Sequence, residues 1–213
     1  LLLCTGLRLS ATGMLSERGS LAAHLFAYSF CLAQGPHMSV SDQSAALPNL
    51  SNSLTRSRVR LMVGHGALGI LFGLLLGYGL IFSVLERIEI WPFISIDGQL
   101  PGTVGAWRAA HTGPIMNGLL CIAGAVATAL LPLTQGQQKF VTWGLVFTVW
   151  ANLVFYIGGI FGNAHSLTGG TTEKFGAANW FDLLGFFPAL IGAVVTPICM
   201  VIVARAAFTK STL

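Results

Sequence analysis

Charge is what this sequence has least of. Only 8% of its 213 residues are Asp, Glu, Lys or Arg, against 54% hydrophobic residues, and that balance excludes the solvated surface of a soluble domain. The eleven lysines and arginines neither cluster on one soluble face nor alternate with aromatics, so no nucleic-acid partner is expected. Cysteine is sparse as well. Cys4, Cys31, Cys121 and Cys199 lack metal-ligand spacing, and the last two fall inside apolar runs, where they read as packing residues. There is no nucleophile elbow, Walker loop, HExxH or Cys-x-x-Cys-His, which removes the common hydrolase, nucleotide, zinc-protease and covalent-haem signatures.

What is present is long apolar runs. Leu61 to Leu85, Ala109 to Leu133, Phe140 to Phe161 and Phe181 to Ala207 each reach the roughly 20 residues that span a bilayer. They lack the alternation of a transmembrane barrel. The expected fold is therefore all-α, an integral membrane four-helix bundle whose glycines permit close helix approach. Arg56, Arg58, Arg60, Lys139, Arg205 and Lys210 fall on one side of the spans. The opposite loops carry Arg87, Arg108 and Lys174 among Glu86, Glu89, Asp97, Glu173 and Asp182. Positive charge thus places both termini in the cytoplasm, in a multi-pass protein of the cytoplasmic (inner) membrane. The pI of about 9.1 reflects this topology.

Residues 1–55 differ in kind from the four-span domain, 56–213. They begin with Leu1, include a short apolar stretch from Leu21 to Gln34, and end in a polar Ser/Asn-rich lead. They are expected to form a disordered or non-native extension, with Met38 as a natural start. A signal peptide flanked by Arg18 is a second reading, and "GPHM" at 35–38 resembles a cloning remnant.

Polar side chains inside spans are costly, so each asks for a compensating role. They are His65 in the first span, His111 and Asn117 in the second, Thr148, Asn152 and Tyr156 in the third, and Asn179 and Asp182 at the start of the fourth. Thr148, Asn152 and Tyr156 recur at i, i+4 and i+8, which stacks them on one inward helix face with Trp150 and Phe155 elsewhere. Gly113-Pro114 disfavours helical geometry just after His111, so this histidine is expected at a kink or at the true helix start. A neutral imidazole in an apolar bundle is a good axial ligand for haem iron or another transition metal. A hydrogen bond between helices accounts for a lone histidine, Asn152 or Tyr156 equally well.

The order "GHGALGILFGLLLGYGL" at 64–80, "AHTGPIMNG" at 110–118, "WANLVFY" at 150–156 and "FGAANWFDLLGFFPALIGA" at 175–193 resembles the styrene-oxide isomerase family over about residues 57–205. The family's second-span motif, Ala-His-Ser-Gly-Pro followed by Asn-Gly, is matched by Ala110 to Pro114 and by Asn117-Gly118 at the same spacing. The resemblance implies a homotrimer with haem b, its iron ferric, held between protomers. It makes His111 the axial ligand and Asn117 and Tyr156 catalytic. Trp150 and Asn152 lie in the matching third-span pattern, and the "GHG" around His65 also fits the family, although helix packing explains His65 as well. The implied reaction is Lewis-acid opening of an aryl epoxide such as styrene oxide and a 1,2-hydride shift to the aldehyde. Thr148 stands where the family carries an aspartate, and Trp107-Arg108-Ala109-Ala110 replaces Trp-Ala-Arg-Ala, so a retuned pocket is expected. Two other classes remain open: a haem-binding membrane protein for electron transfer or sensing, recruiting His65 or His165 as second ligand, and a cofactor-free scaffold or transporter.

Overall fold

In the computed structural model, residues 52–209 are described; the expectations for residues 1–51 and for Lys210 lie outside them. Helix α1 (Ser53–Leu85) leads into a hairpin of β1 (Arg87–Ile90) and β2 (Ile94–Asp97). Then come α2 (Val104–Leu130), α3 (Gln135–Phe161), a minimal hairpin of β3 (Thr171–Thr172) and β4 (Gly176–Ala177), and α4 (Trp180–Phe208). All four helices are long and apolar enough to cross a membrane. The chain is mostly helical, not purely so. Between β1 and β2, Ile88 pairs with Ile96 and Ile90 with Ile94, while Arg87 pairs with Asp97 and Glu89 with Ser95. That is the period-2 alternation of a hairpin, spread over strands too short to stand out beside a 33-residue helix.

Helix ends differ from the apolar runs because caps, and not hydropathy, set them. Asn52 accepts from the Leu54 amide at 3.0 Å and starts α1 about two turns before its apolar stretch. Thr103 caps α2 through the Ala106 amide at 3.1 Å, and Thr134 and Gln137 form a reciprocal capping box on α3. Arg108 is consequently helical and does not lie in a loop. Arg58 reaches from α1 to the Gln135 side chain at 2.7 Å, which puts the start of α1 beside the start of α3.

Helix α1 packs on α2 and α3, and α4 on α3 with a brief touch on α2; α1 and α4 do not meet. The core lies along α3, where Val141, Leu145, Val146 and Val149 pack with Met62, Cys121, Ala125 and Cys199. Cys121 and Cys199 are fully buried packing residues, as expected. Between α1 and α2 the contact is backbone on backbone. A Cβ at Gly66 would stand 2.7 Å from the Gly118 carbonyl oxygen, one at Gly73 would stand 2.9 Å from that of His111, and one at Gly77 would stand 2.8 Å from His111 Nδ1. These glycines and Gly69 share one face of α1, and their lack of side chains lets the helices close up.

The α3–α4 connection is held by a buried carboxylate. Asp182, fully inaccessible, accepts from the amides of Ser166 at 2.7 Å, Asn179 at 3.0 Å and Ala164 at 3.2 Å. It occupies the third position of α4, where Asn179 caps and is capped in return, so its charge also faces a helix N-terminus. The sequence places Asp182 both among the loop charges and among the polar residues at the start of the fourth span; the Asn179-x-x-Asp182 box draws it inside, at the latter position.

Two stability outcomes follow from these contacts. Gly66→Val should lower thermal stability in detergent by about 1–3 kcal/mol through overpacking, whereas Gly64→Ala, with nothing within 4 Å of its Cβ, should stay near wild type; equal losses would remove the close-approach account. Asp182→Ala leaves three amides without their acceptor and should cost at least about 3 kcal/mol, measured in the same melts.

Candidate functional site

His111 lies two turns inside α2, followed within the same unbroken helix by Pro114. The expectation of a helix start at His111 is corrected: Thr103 caps well upstream, and the missing Pro114 amide interrupts one hydrogen bond without ending the helix. The ring is half-buried, and Nδ1 lies 2.9 Å from the Gly73 carbonyl oxygen. A carbonyl can only accept, so Nδ1 carries the proton and Nε2 keeps its lone pair. A backbone carbonyl behind the ring is the arrangement that fixes a metal-ligating histidine.

His65 has the opposite tautomer. Trp150 Nε1 donates to its Nδ1 at 3.1 Å, so in the neutral ring the proton sits on Nε2, and the two rings meet edge to face at 5.8 Å. An indole N–H can only donate. His65 is therefore committed to Trp150, which it ties to α1, and offers a metal no lone pair.

Asn117 and Asn152 are brought together. Asn152 Nδ2 donates to Asn117 Oδ1 at 3.1 Å, and Asn117 Nδ2 donates to the Gly113 carbonyl at 3.0 Å. Each Nδ2 retains one further N–H. Tyr156 packs its ring against Gly113, where a side chain would collide with the phenol. Its hydroxyl has no hydrogen-bond partner among the described residues.

Thr148 behaves otherwise. It is buried, donates to the Gly144 carbonyl at 2.8 Å and meets the Thr196 hydroxyl of α4 at 2.8 Å. The three-residue row is not one face. Eight residues at about 100° each overshoot two turns by about 80°, which carries the row from α4 at Thr148 to α2 at Asn152 and Tyr156.

His111 and Tyr156 are not brought together within the chain. Tyr156 touches α2 at Gly113, two positions beyond His111 and thus on the opposite helix face. On that face lies a cavity of about 330 Å³ between the start of α2, the end of α3 and the following loop, lined by Ala106, Ala109, Phe155, Tyr156 and His165 among others. His165 as a cavity residue was not foreseen; the signal was the Asn179-x-x-Asp182 box that fixes its loop.

Among the described residues no group of three or more His, Cys, Asp or Glu could hold a metal ion alone. One oriented imidazole with an open Nε2 fits a metal carried by a macrocycle, which needs only axial protein donors.

Residues 58–208 match the family described as styrene oxide isomerase. The chain is also 33% identical over 135 residues to the styrene-oxide isomerase of Pseudomonas fluorescens, an alignment covering 63% of this chain and 79% of that protein. The pairing of His111 with Gly73, the Asn117–Asn152 bridge and the Tyr156–Gly113 contact all fall within the matched span, and the chain belongs to the styrene oxide isomerase family, as an enzyme of the isomerase class.

Proposed function

We propose that this protein is a multi-pass membrane enzyme that isomerises an aryl epoxide such as styrene oxide to the aldehyde, with haem b held through His111 Nε2. The observation that carries the reading is the His111 ring, oriented by Gly73 at 2.9 Å with its distal nitrogen unused, inside the Ala-His-Thr-Gly-Pro motif. Ferric haem, when bound, supplies a Lewis acid that polarises the epoxide C–O bond.

The chain's own residues do the rest. A 1,2-hydride shift conserves every atom and changes no net oxidation state, so no general base is required. The Tyr156 hydroxyl, without a hydrogen-bond partner among the described residues, is a donor for the epoxide oxygen as negative charge develops there. Asn117 holds its amide against Gly113 and Asn152 and has one N–H left to point at the same oxygen. Apolar walls keep water from trapping the positive charge at the benzylic carbon as a diol. Thr148, bonded to Gly144 and Thr196, brings no charge near Tyr156.

Because α2 separates His111 from Tyr156 within one chain, a homotrimer with haem between protomers accounts for both acting on one substrate. Exposed apolar side chains such as Leu74, Leu75 and Ile81 on α1 and Leu190, Val194 and Val201 on α4 suit lipid or a neighbouring copy. Arg56, Arg58, Arg60, Lys139 and Arg205 gather at one end of the helices, which we assign to the cytoplasmic side with both termini.

His111→Ala should abolish or greatly reduce haem content, read by pyridine haemochrome after purification, while His165→Ala keeps it; equal occupancy in both would overturn the ligand assignment. Tyr156→Phe should retain haem and lower kcat for styrene oxide by about 10² to 10³. Full turnover with only a lower melting temperature would make this tyrosine a packing residue.

A further inference from the structure

The cavity beside Tyr156 has a second polar wall that the reaction as derived does not use. His165 Nδ1 lies 2.9 Å from the Gly159 carbonyl oxygen, so by the same reasoning as for His111 it carries the proton, and Nε2 is a lone-pair acceptor. That nitrogen has no hydrogen bond within the described residues, and the ring lines the cavity that Tyr156 also lines.

The chain places His165 there at a conformational cost. His165 and Ser166 both have left-handed backbones, with φ of 52° and 57°, a region unfavourable for non-glycine residues. Asp182 locks this turn through the Ala164 and Ser166 amides. Ser166 in turn sits so close to Gly158 and Gly185 that a Cβ at Gly158 would stand 2.7 Å from its hydroxyl oxygen. Strain held in place this firmly, beside a cavity, marks a positioned side chain.

The other lining groups sort by chemistry. Thr103 accepts from the Ala106 amide as a helix cap and keeps its O–H as a donor, Ala106, Ala109 and Phe155 are apolar, the Tyr156 hydroxyl is a donor, and His165 Nε2 is an acceptor. An epoxide has no hydrogen to give. An unpaired acceptor in an apolar cavity favours a ligand that brings a donor over one that does not. A volume of about 330 Å³ sits at the small end of ligand sites, suited to a single ring with short substituents.

We propose that this cavity is the specificity chamber for the non-reacting end of the substrate, and that His165 Nε2 accepts a hydrogen bond from an aryl epoxide bearing a hydroxyl or amine on its ring. The proposal rests on the isomerase reading for its substrate class and on the cavity for its selectivity.

The test compares 4-(hydroxymethyl)styrene oxide with 4-(methoxymethyl)styrene oxide, which lacks the donor, on the haem-loaded enzyme in detergent. Wild type should favour the alcohol in kcat/KM, mostly through KM. His165→Asn should cut that preference by about tenfold. Asparagine tolerates the left-handed backbone and can still donate to Gly159, so the loop keeps its shape while the distal acceptor is lost; His165→Ala serves as the blunter variant. An unchanged preference ratio in His165→Asn overturns the proposal. If wild type turns over neither of these epoxides nor styrene oxide itself, the aryl-epoxide reading fails, and the chamber is judged by binding alone. Saturation-transfer NMR should then show benzyl alcohol preferred over benzyl methyl ether in wild type and not in His165→Asn, and equal preference in both proteins overturns the chamber as well.

Discussion

The site depends on the Gly73 carbonyl reaching across to α2. In a helix that oxygen already accepts from the amide four residues on, at Gly77, and a carbonyl has a second lone pair for a side chain. The second lone pair is accessible only where no side chain shields it. Position 77 is where shielding would come from, and a Cβ there would stand 2.8 Å from His111 Nδ1. Gly77 therefore admits the imidazole, Gly73 brings its own backbone close, and Gly66 and Gly69 extend the same contact toward the core. Small residues that read as generic packing in a membrane helix set the tautomer of His111, whose Nδ1 faces α1. His111 orientation and helix packing are one property.

Helix α3 organises the rest because it touches every other helix. Its residues distribute by angle: Trp150 to His65 on α1, Asn152 to Asn117 on α2, and Thr148 to Thr196 on α4. Each is a neutral hydrogen bond between helices, the kind that stabilises membrane proteins by about 0.6 kcal/mol on average. Their combined effect on chemistry is larger than on stability. They consume the acceptor of Asn117, the lone pair of His65 and the hydroxyl of Thr148, and they leave the Tyr156 hydroxyl unengaged.

Four apolar runs made the helices legible, since length and composition alone determine which segments can cross a bilayer. The Ala-His-Thr-Gly-Pro motif made the family legible. Helix starts were not, because Asn52 and Thr103 act through one hydrogen bond each and leave no trace in hydropathy. The β1–β2 hairpin was written in alternating isoleucines but over too few residues to compete with its neighbours. Thr148, Asn152 and Tyr156 were correctly assigned to the interior yet not to separate partners, because the i+4 rule ignores the accumulated rotation over two turns. Asp182 was legible at the start of the fourth span but its partners were not, since the three backbone amides that replace its water come from the loop before α4. Which lone pair each histidine offers was beyond sequence entirely, since that depends on whether the neighbour at Nδ1 is a carbonyl or an indole.

Two histidines, His111 and His165, end up with the same tautomer by the same device, a helix carbonyl behind Nδ1. They differ in what surrounds them. His111 sits in regular helix between glycines, where its position follows from packing and needs no strain. His165 sits in a left-handed turn that an inaccessible carboxylate must hold. A donor to a metal must be fixed in direction but tolerates a common backbone, so helix packing suffices for it. The acceptor proposed to recognise part of a small ligand stands on the loop after α3, beside the cavity that the start of α2 and the end of α3 also line. The buried Asp182 holds that loop through the Ala164 and Ser166 amides, and it does so from the first turn of α4, a helix whose apolar faces otherwise touch little besides α3.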